Sequence, residues 1–304
     1  MKIAGYYRNG NYRVYIMEDG TKIRSSDDDT FIPDRVESID LKITDYCNMG
    51  CKFCYENSTI NGKHADLNNK LLDTFPEYTE VAIGGGNPLS HPQLEEFLKK
   101  LKEERCFANI TVNQVHFIED IDRLRKMRDD KMIRGIGVSI INPDKEVASK
   151  MLEFPNSVAH VIAGITSIGT LKKMSENGIK KVLILGYKTT GRGNDCYFNN
   201  EDLIKMNISE VKNHIPEIRE MFDVISFDNL AIKQLDIKDT MNKEEWDNFY
   251  MGDDGNYTMY IDLVNEEYAK NSTSGMTYDL LNDINEMFLD IKSKTKEKEE
   301  IKKL

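Results

Sequence analysis

Six runs rich in β-branched residues, interleaved with helical patterns, repeat along the middle of the chain. They begin near Ser38 (SIDLKIT), Thr79 (TEVAIG), Ala108 (ANITVN), Arg134 (RGIGVSI), Val158 (VAHVIAGI) and Lys180 (KKVLILG), at start-to-start intervals of 41, 29, 26, 24 and 22 residues. Helical patterns stand between them at residues 93–105, 118–128, 145–154 and 167–177. In the first of these, Leu94, Phe97, Leu98 and Leu101 recur at helical spacing, with Lys and Glu on the other face. Parallel strands need a crossover, and crossovers are right-handed, so this alternation predicts a parallel α/β sheet. Six such units make an open sheet or a partial barrel. Either arrangement puts binding groups at the carboxyl ends of the strands.

The flanks follow other rules. Residues 6–8 and 12–16 read as strands around Asn9-Gly10, and Asp19-Gly20 opens a turn before a third strand at 22–24. The acidic run 25–30 reads as a loop, with Pro33 after it. Beyond Gly193 the rhythm changes. Residues 201–222 read as helix with Pro216 inside it, 224–227 as a seventh strand, and 257–263 as an alternating strand. Met276, Leu280, Leu281, Ile284, Met287, Phe288 and Ile291 are expected on one face of a final helix. The stretch 292–303, almost all Lys and Glu, reads as a solvated helix end or tail. The expected division is a β-meander at 1–36, a β/α core at 37–195 and an α+β extension at 196–304.

Composition narrows the function. With 52 acidic and 41 basic residues among 304, the formal net charge is −11. An acidic chain is a poor general binder of nucleic-acid backbone, although a local basic cleft is compatible with it. No run approaches the roughly 20 apolar residues that span a bilayer. The sequence starts without a signal-peptide pattern, so the default address is the cytoplasm. The chain has five cysteines, Cys47, Cys51, Cys54, Cys106 and Cys196, three of them within eight residues. An odd, clustered set in a cytosolic chain reads as metal ligands before disulfides.

The cluster runs Ile43-Thr-Asp-Tyr-Cys47-Asn-Met-Gly-Cys51-Lys-Phe-Cys54-Tyr, a C-x3-C-x2-C spacing directly after the first parallel-strand candidate. Three thiolates on a tight loop can hold three irons of a four-iron cubane, which ordinarily takes four cysteines. The fourth iron is then open, as a catalytic metal position must be. Gly50 lets the loop turn. Two other readings stand beside this one. One is a structural zinc site of the three thiolates with His64; the other is three unligated thiols. Cys106 and Cys196 read as ordinary residues, Cys106 at a helix end and Cys196 in a loop. His91, His116, His160 and His214 read as structural or solvent-facing, and His64 lies downstream of the cysteine loop.

Cys47, Cys51 and Cys54, with Phe53 before the last, resemble the cluster motif of the radical S-adenosylmethionine superfamily. The resemblance covers roughly residues 37–195. It implies a partial (β/α)6 TIM-like barrel, here with an N-terminal β-meander and an α+β extension. It also implies a [4Fe–4S] cluster, S-adenosyl-L-methionine as second cofactor, and a 5′-deoxyadenosyl radical that abstracts hydrogen from a substrate. Residues Gly84, Gly85, Gly86 and Asn87, followed by Pro88, resemble the Gly-Gly-Glu-Pro stretch that binds the cofactor's amino group. The Glu is missing, which leaves backbone carbonyls or the Asn87 side chain to serve the ammonium. Asn87 also suits a helix N-cap with Pro88 behind it. Softer matches place Asn113, Ser139, Leu185, Gly186 and Lys188 around the cofactor, with Gly164 and Ile165 ending the fifth strand. For each of these, a packed strand end is the plain alternative.

The residues 188–193, with Lys188 and Arg192 among glycines, fit either an anion site or a solvated turn. No cysteine follows Cys196, so an auxiliary-cluster extension of the kind found in related peptide-maturing enzymes would lack its ligands. The expected substrate is a peptide or protein, since the 84–92 stretch looks most like peptide-modifying members and the meander has a strand edge to offer. The runner-up is a nucleotide or small metabolite, with Lys188 and Arg192 suited to a phosphate. The same chemistry in an activase of a glycyl-radical enzyme is a third possibility, and a zinc-stapled binding module is the non-enzyme one. An electron donor such as flavodoxin or ferredoxin is implied, and a membrane partner is not.

Overall fold

Strand alternation, apolar on one face and small or polar on the other, produces most of the main sheet. The computed structural model describes residues 2–301, with side chains described to residue 295. Three antiparallel strands come first: β1 (Ile3–Asn9), β2 (Tyr12–Met17) and β3 (Lys22–Ser25). Seven parallel strands follow: β4 (Ser38–Thr44), β5 (Glu80–Gly85), β6 (Phe107–Asn113), β7 (Gly135–Ser139), β8 (Ser157–Ile162), β9 (Lys181–Leu185) and β10 (Val224–Phe227). The chain then adds β11 (Thr258–Asp262), β12 (Glu267–Ala269) and β13 (Tyr278–Asp279). The large sheet has the order β10-β9-β8-β7-β6-β5-β4-β11-β12-β13. This is the expected α/β partial barrel.

The last hundred residues are more closely woven into the core than a trailing extension. β10 adds to one end of the sheet, and β11 lies parallel against β4, the first core strand, at the other. Outside the sheet pack helices such as Leu94–Glu103, whose Leu94, Phe97, Leu98 and Leu101 are buried as the spacing predicts. Each such side chain contributes about 1.5–3 kcal/mol of burial. Pro216 does break the 201–222 pattern, into Glu201–Asn213 and Ile215–Met221. The 118–128 pattern becomes two helices, Gln114–Glu119 and Ile121–Asp129. No helix among the described residues is long and apolar enough to cross a membrane.

The β1–β3 sheet lies under the amino ends of the core strands. Its buried Tyr7, Tyr12, Val14 and Ile16 meet Tyr78, Phe107 and Tyr257, which stand just before or at the start of β5, β6 and β11. Buried Glu37, just before β4, is held by Lys22 and Arg24 at 3.3 and 3.0 Å. Burial pushes that carboxyl up, but the two cations outweigh it and hold its pKa below the ordinary value. The meander therefore seals the end of the barrel away from the cysteine loop.

Three local expectations change. The first hairpin loop is Gly10-Asn11, because Asn9 pairs with Tyr12 and its side chain accepts from the Asp34 and Arg35 N–H groups. The final helix spans Ile284–Ile301, and Met276, Leu280 and Leu281 precede it. Asp283 accepts from the Asn285 and Glu286 N–H groups and starts the helix there, while Tyr278 and Asp279 pair with β12. Cys196 lies in a helix, Gly191–Asn199, not in a loop. Of the charged stretch 292–303, the side chains past 295 and residues 302 and 303 lie outside the described residues.

Candidate active site

The inner face of the barrel is read at every second residue. Lys42 pairs with Gly84, Thr111 with Gly137, and Ser139 with His160 along the sheet. Small residues on the β5 and β7 walls leave room, and a cavity of about 460 Å³ opens at the carboxyl end. Its size suits a small-molecule site. Cys47, Cys51 and Cys54 line it, with Gly84, Gly85, Gly86, Asn113, Ser139, Leu185, Gly186 and Lys188. Asn87 does not; its side chain caps the short helix Pro88–Ser90 by accepting from the Leu89 N–H at 3.2 Å.

The cysteine loop is tied down at both ends. Lys42, only 6% exposed, contacts Asp45 at 2.8 Å before the cysteines and Glu56 at 3.1 Å after them. It also meets Asp262 of β11 at 2.9 Å. Between those ends Gly50 takes a left-handed φ of 59°. The next strand grips the same segment. Gly86 and Asn87 donate their N–H groups to the Thr44 and Tyr46 carbonyls at 2.7 and 2.6 Å. Gly85 has a φ of +106°, and a Cβ there would lie 2.4 Å from the Thr44 oxygen. A Cβ on Gly86 would lie 2.2 Å from the Tyr46 oxygen, whereas one on Gly84 meets nothing within 4 Å. Thus Gly85 and Gly86 hold the loop, and Gly84 is the position with room for a ligand.

Arg192, for which the sequence left an anion site and a solvated turn both open, is another brace. From the helix Gly191–Asn199 it donates to the Cys51 carbonyl at 2.9 Å, the Ser58 carbonyl at 2.9 Å and the Asn57 side chain at 3.2 Å. Removing this side chain as Arg192→Ala leaves two loop carbonyls without their charged donor. The metal-loaded variant is expected to lose iron to a chelator roughly ten-fold faster than the parent, the scale of a charge-assisted hydrogen bond. Chelator kinetics followed by absorbance measure it.

The donor set fits a three-iron attachment. All three thiols are free and partly buried on one wall. Burial pushes the Cys47 and Cys51 thiols above their ordinary pKa, and the neighbouring thiols push the same way, while Arg192 opposes. Deprotonation at Cys47 and Cys51 is therefore favoured by bound metal. Neither Cys106 nor Cys196 lines the cavity; the Cys106 thiol faces the Pro76 carbonyl at 3.5 Å. His64 does not line it either, since its Nδ1 shares a 2.9 Å hydrogen bond with Thr44 and its ring packs on His91. The zinc reading thus loses its fourth ligand. Among the described residues, no three His, Cys, Asp or Glu side chains gather as ligands of a single ion.

Several cavity groups escaped the sequence reading. His116 shares a 2.7 Å hydrogen bond with Asn48 of the cysteine loop. His160 lies in the cavity wall beside Gly137, and burial pushes its pKa down to about 4, so the ring is neutral at pH 7. Asp40, Lys42, Glu56, Tyr260 and Ser272 also line the cavity. Asp40 is accessible through it, yet surrounding protein raises its carboxyl pKa; Lys188 opposes, and Asp254, Asp228 and Glu56 add. Lys188 donates to Ser272 at 2.9 Å and lies over the Tyr55 ring. The signal for part of this group was present in SIDLKIT, where Asp40 and Lys42 alternate with buried Ile and Leu. At the sixth strand end the backbone is largely engaged: Gly186 N–H donates to Asp228, and Tyr187 exchanges two hydrogen bonds with Gln234.

Comparisons with known proteins bear on the family and the fold. The sequence model described as "Radical SAM superfamily" matches residues 41–192. A probable GTP 3′,8-cyclase of Methanococcus maripaludis is 25% identical over 118 residues, which cover 36% of this chain and 39% of that protein. The crystal structure of Streptococcus suis SuiB bound to precursor peptide SuiA has a similar fold, with TM-score 0.58 and 14% identity. That alignment covers 84% of this chain and 65% of SuiB. Another crystal structure of Streptococcus suis SuiB aligns over 92% of this chain and 86% of its own, with TM-score 0.56 and 13% identity. The chain therefore spans about two fifths of the curated relative and under two thirds of the peptide-bound structure.

Proposed function

Since the chain belongs to the radical S-adenosylmethionine superfamily, we propose that its cavity abstracts hydrogen from a peptide or protein substrate. It is an enzyme of that class, and its cofactors are a [4Fe–4S] cluster and S-adenosylmethionine. The observation that carries the reading is the joint lining of one cavity by the three cysteines and the glycine rim of β5. When bound, the reduced cluster and S-adenosylmethionine supply one-electron cleavage of the sulfonium to methionine and a 5′-deoxyadenosyl radical. Cys47, Cys51 and Cys54 hold three irons. Gly84 admits the cofactor's polar end, with Gly85 and Gly86 beside it. Asn113, Ser139, Leu185, Gly186 and Lys188 surround the rest. Asn87 shapes the turn, because its side-chain oxygen already caps a helix. The barrel wall and the sealed amino end leave the carboxyl end as the way in to the reacting groups.

The likeness to a structure bound to its precursor peptide supports a peptide substrate. A nucleotide is the second reading, supported by Lys188 on the cavity wall and by the cyclase likeness. A glycyl-radical partner would be the protein substrate of an activase. Electrons come from a flavodoxin- or ferredoxin-like donor, in a cytoplasm that keeps thiols reduced. The test is anaerobic reconstitution, counts of iron, sulfide and zinc, then dithionite and S-adenosylmethionine. About four irons per chain and 5′-deoxyadenosine are expected. Zinc alone without deoxyadenosine would overturn the reading. Stimulation by a peptide pool, and not by nucleoside triphosphates, separates the two substrate classes.

A further inference from the structure

The cavity has a second polar face that the reaction above does not use. Asp40 of β4 and Tyr260 of β11 are register partners in the parallel pairing, so both project to one side. Both line the cavity. Tyr260 is only 9% exposed, yet its hydroxyl has no hydrogen-bond partner among the described residues. The Asp40 carboxylate likewise has no hydrogen bond and no ion pair among them. The other charged groups nearby already have partners. Lys42 is surrounded by Asp45, Glu56 and Asp262, and Lys188 is held by Ser272 and the Tyr55 ring. Asp228 caps a helix and accepts from the Gly186 N–H. Asp40 is open to the cavity, and an accessible carboxylate beside a hydroxyl that no protein group engages offers acceptors to a ligand. The surplus charge of this wall is negative, so the completing group is a cation that donates hydrogen bonds.

We propose that this face is the substrate end of the cavity and receives a protonated amine, with Asp40 as its counter-charge and the Tyr260 oxygen as a second acceptor. The inference rests on the cavity being the reaction chamber. In the peptide reading, the amine belongs to a basic side chain or to an amino terminus.

Equilibrium dialysis against the anaerobically reconstituted chain, with S-adenosylmethionine present and no reductant, tests it. The probes are N-acetyl-lysine amide, norleucine amide and N-acetyl-norleucine amide, which carry a side-chain amine, an α-amine and no amine. One amine probe is expected to bind about ten-fold or more tighter than the neutral one, the scale of a hydrogen bond to a charged group. Which probe does so identifies the source of the amine. Asp40→Asn should bring that ratio to about one, Asp40→Glu should restore part of it, and Tyr260→Phe should reduce it several-fold. Equal binding of all three probes by the parent chain, or none, overturns the proposal. So does a preference that survives in Asp40→Asn. In a parallel dialysis without S-adenosylmethionine, amine binding that is lost once S-adenosylmethionine is added also overturns it, by assigning Asp40 to the cofactor's own ammonium. Deoxyadenosine formation in the same preparation is read separately. Its absence with the amine preference intact sinks the proposed reaction, and its presence with no preference sinks only this inference.

Discussion

A Cys51→Ala chain is expected to hold no intact [4Fe–4S] cluster and to form no 5′-deoxyadenosine. The loop supplies three thiols, and among the described residues no other cysteine lines the cavity. Cys106 is buried against the Pro76 carbonyl, and Cys196 lies in the helix Gly191–Asn199, so neither can replace the lost thiolate without refolding a segment. Iron should fall from about four per chain to a small fraction, and cofactor cleavage by at least ~10³-fold, since the cluster is the electron source. The metal-free fold should persist, because Cys51 is only partly buried and belongs to no strand or helix. Iron and sulfide analysis, visible absorbance and a circular dichroism control measure these effects. A Cys51→Ala protein with full cluster content would sink the ligand assignment.

Lys42→Met is expected to cost about 3–5 kcal/mol of stability, the range for removing one partner of a buried ion pair. Methionine keeps much of the stem's volume, so the loss is mostly charge. Glu56 and Asp262 are each 8% exposed and would be left facing each other and Asp45 without a cation. Denaturant unfolding of parent and variant gives the difference. Its pH dependence has a definite sign. Unpartnered buried carboxylates take up protons more readily folded than unfolded, so the variant's folded state binds the extra protons. Its deficit should therefore shrink as pH falls below neutrality. A deficit independent of pH would mean that packing, not charge, carries the Lys42 contribution. Because Asp45 and Glu56 bracket the cysteines, the variant should also retain less iron than the parent at the same chelator concentration.

Much of this protein was legible from local patterns. The six core strands fall within a residue or so of the expected starts, because alternating burial and helix spacing are read within a dozen residues. The stripe Leu94, Phe97, Leu98 and Leu101 is buried as its periodicity requires. The misreadings lie where one local signal competes with another. Asn9-Gly10 has a strong turn preference, but Asn9 is drawn into β1 by its bonds to residues 34 and 35. The apolar spacing at 276–291 looks helical throughout, but β12 captures residues 278 and 279 first. Glycines around Arg192 fitted either an anion loop or a solvated turn, but Arg192 found three acceptors on the cysteine segment.

The sequence by itself determined the parallel α/β class and the local grouping of three thiols, since both depend on spacings of a few residues. Only the tertiary structure decided the rest of the chamber. Asp40 meets Tyr260, and Lys42 meets Asp262, across 220 residues of chain in each case, because β11 inserts beside β4. Arg192 reaches the cysteine loop across 141 residues. No periodicity records such pairings. They are fixed by which strand completes the sheet, a choice made by the packing of the whole chain and not by any segment of it.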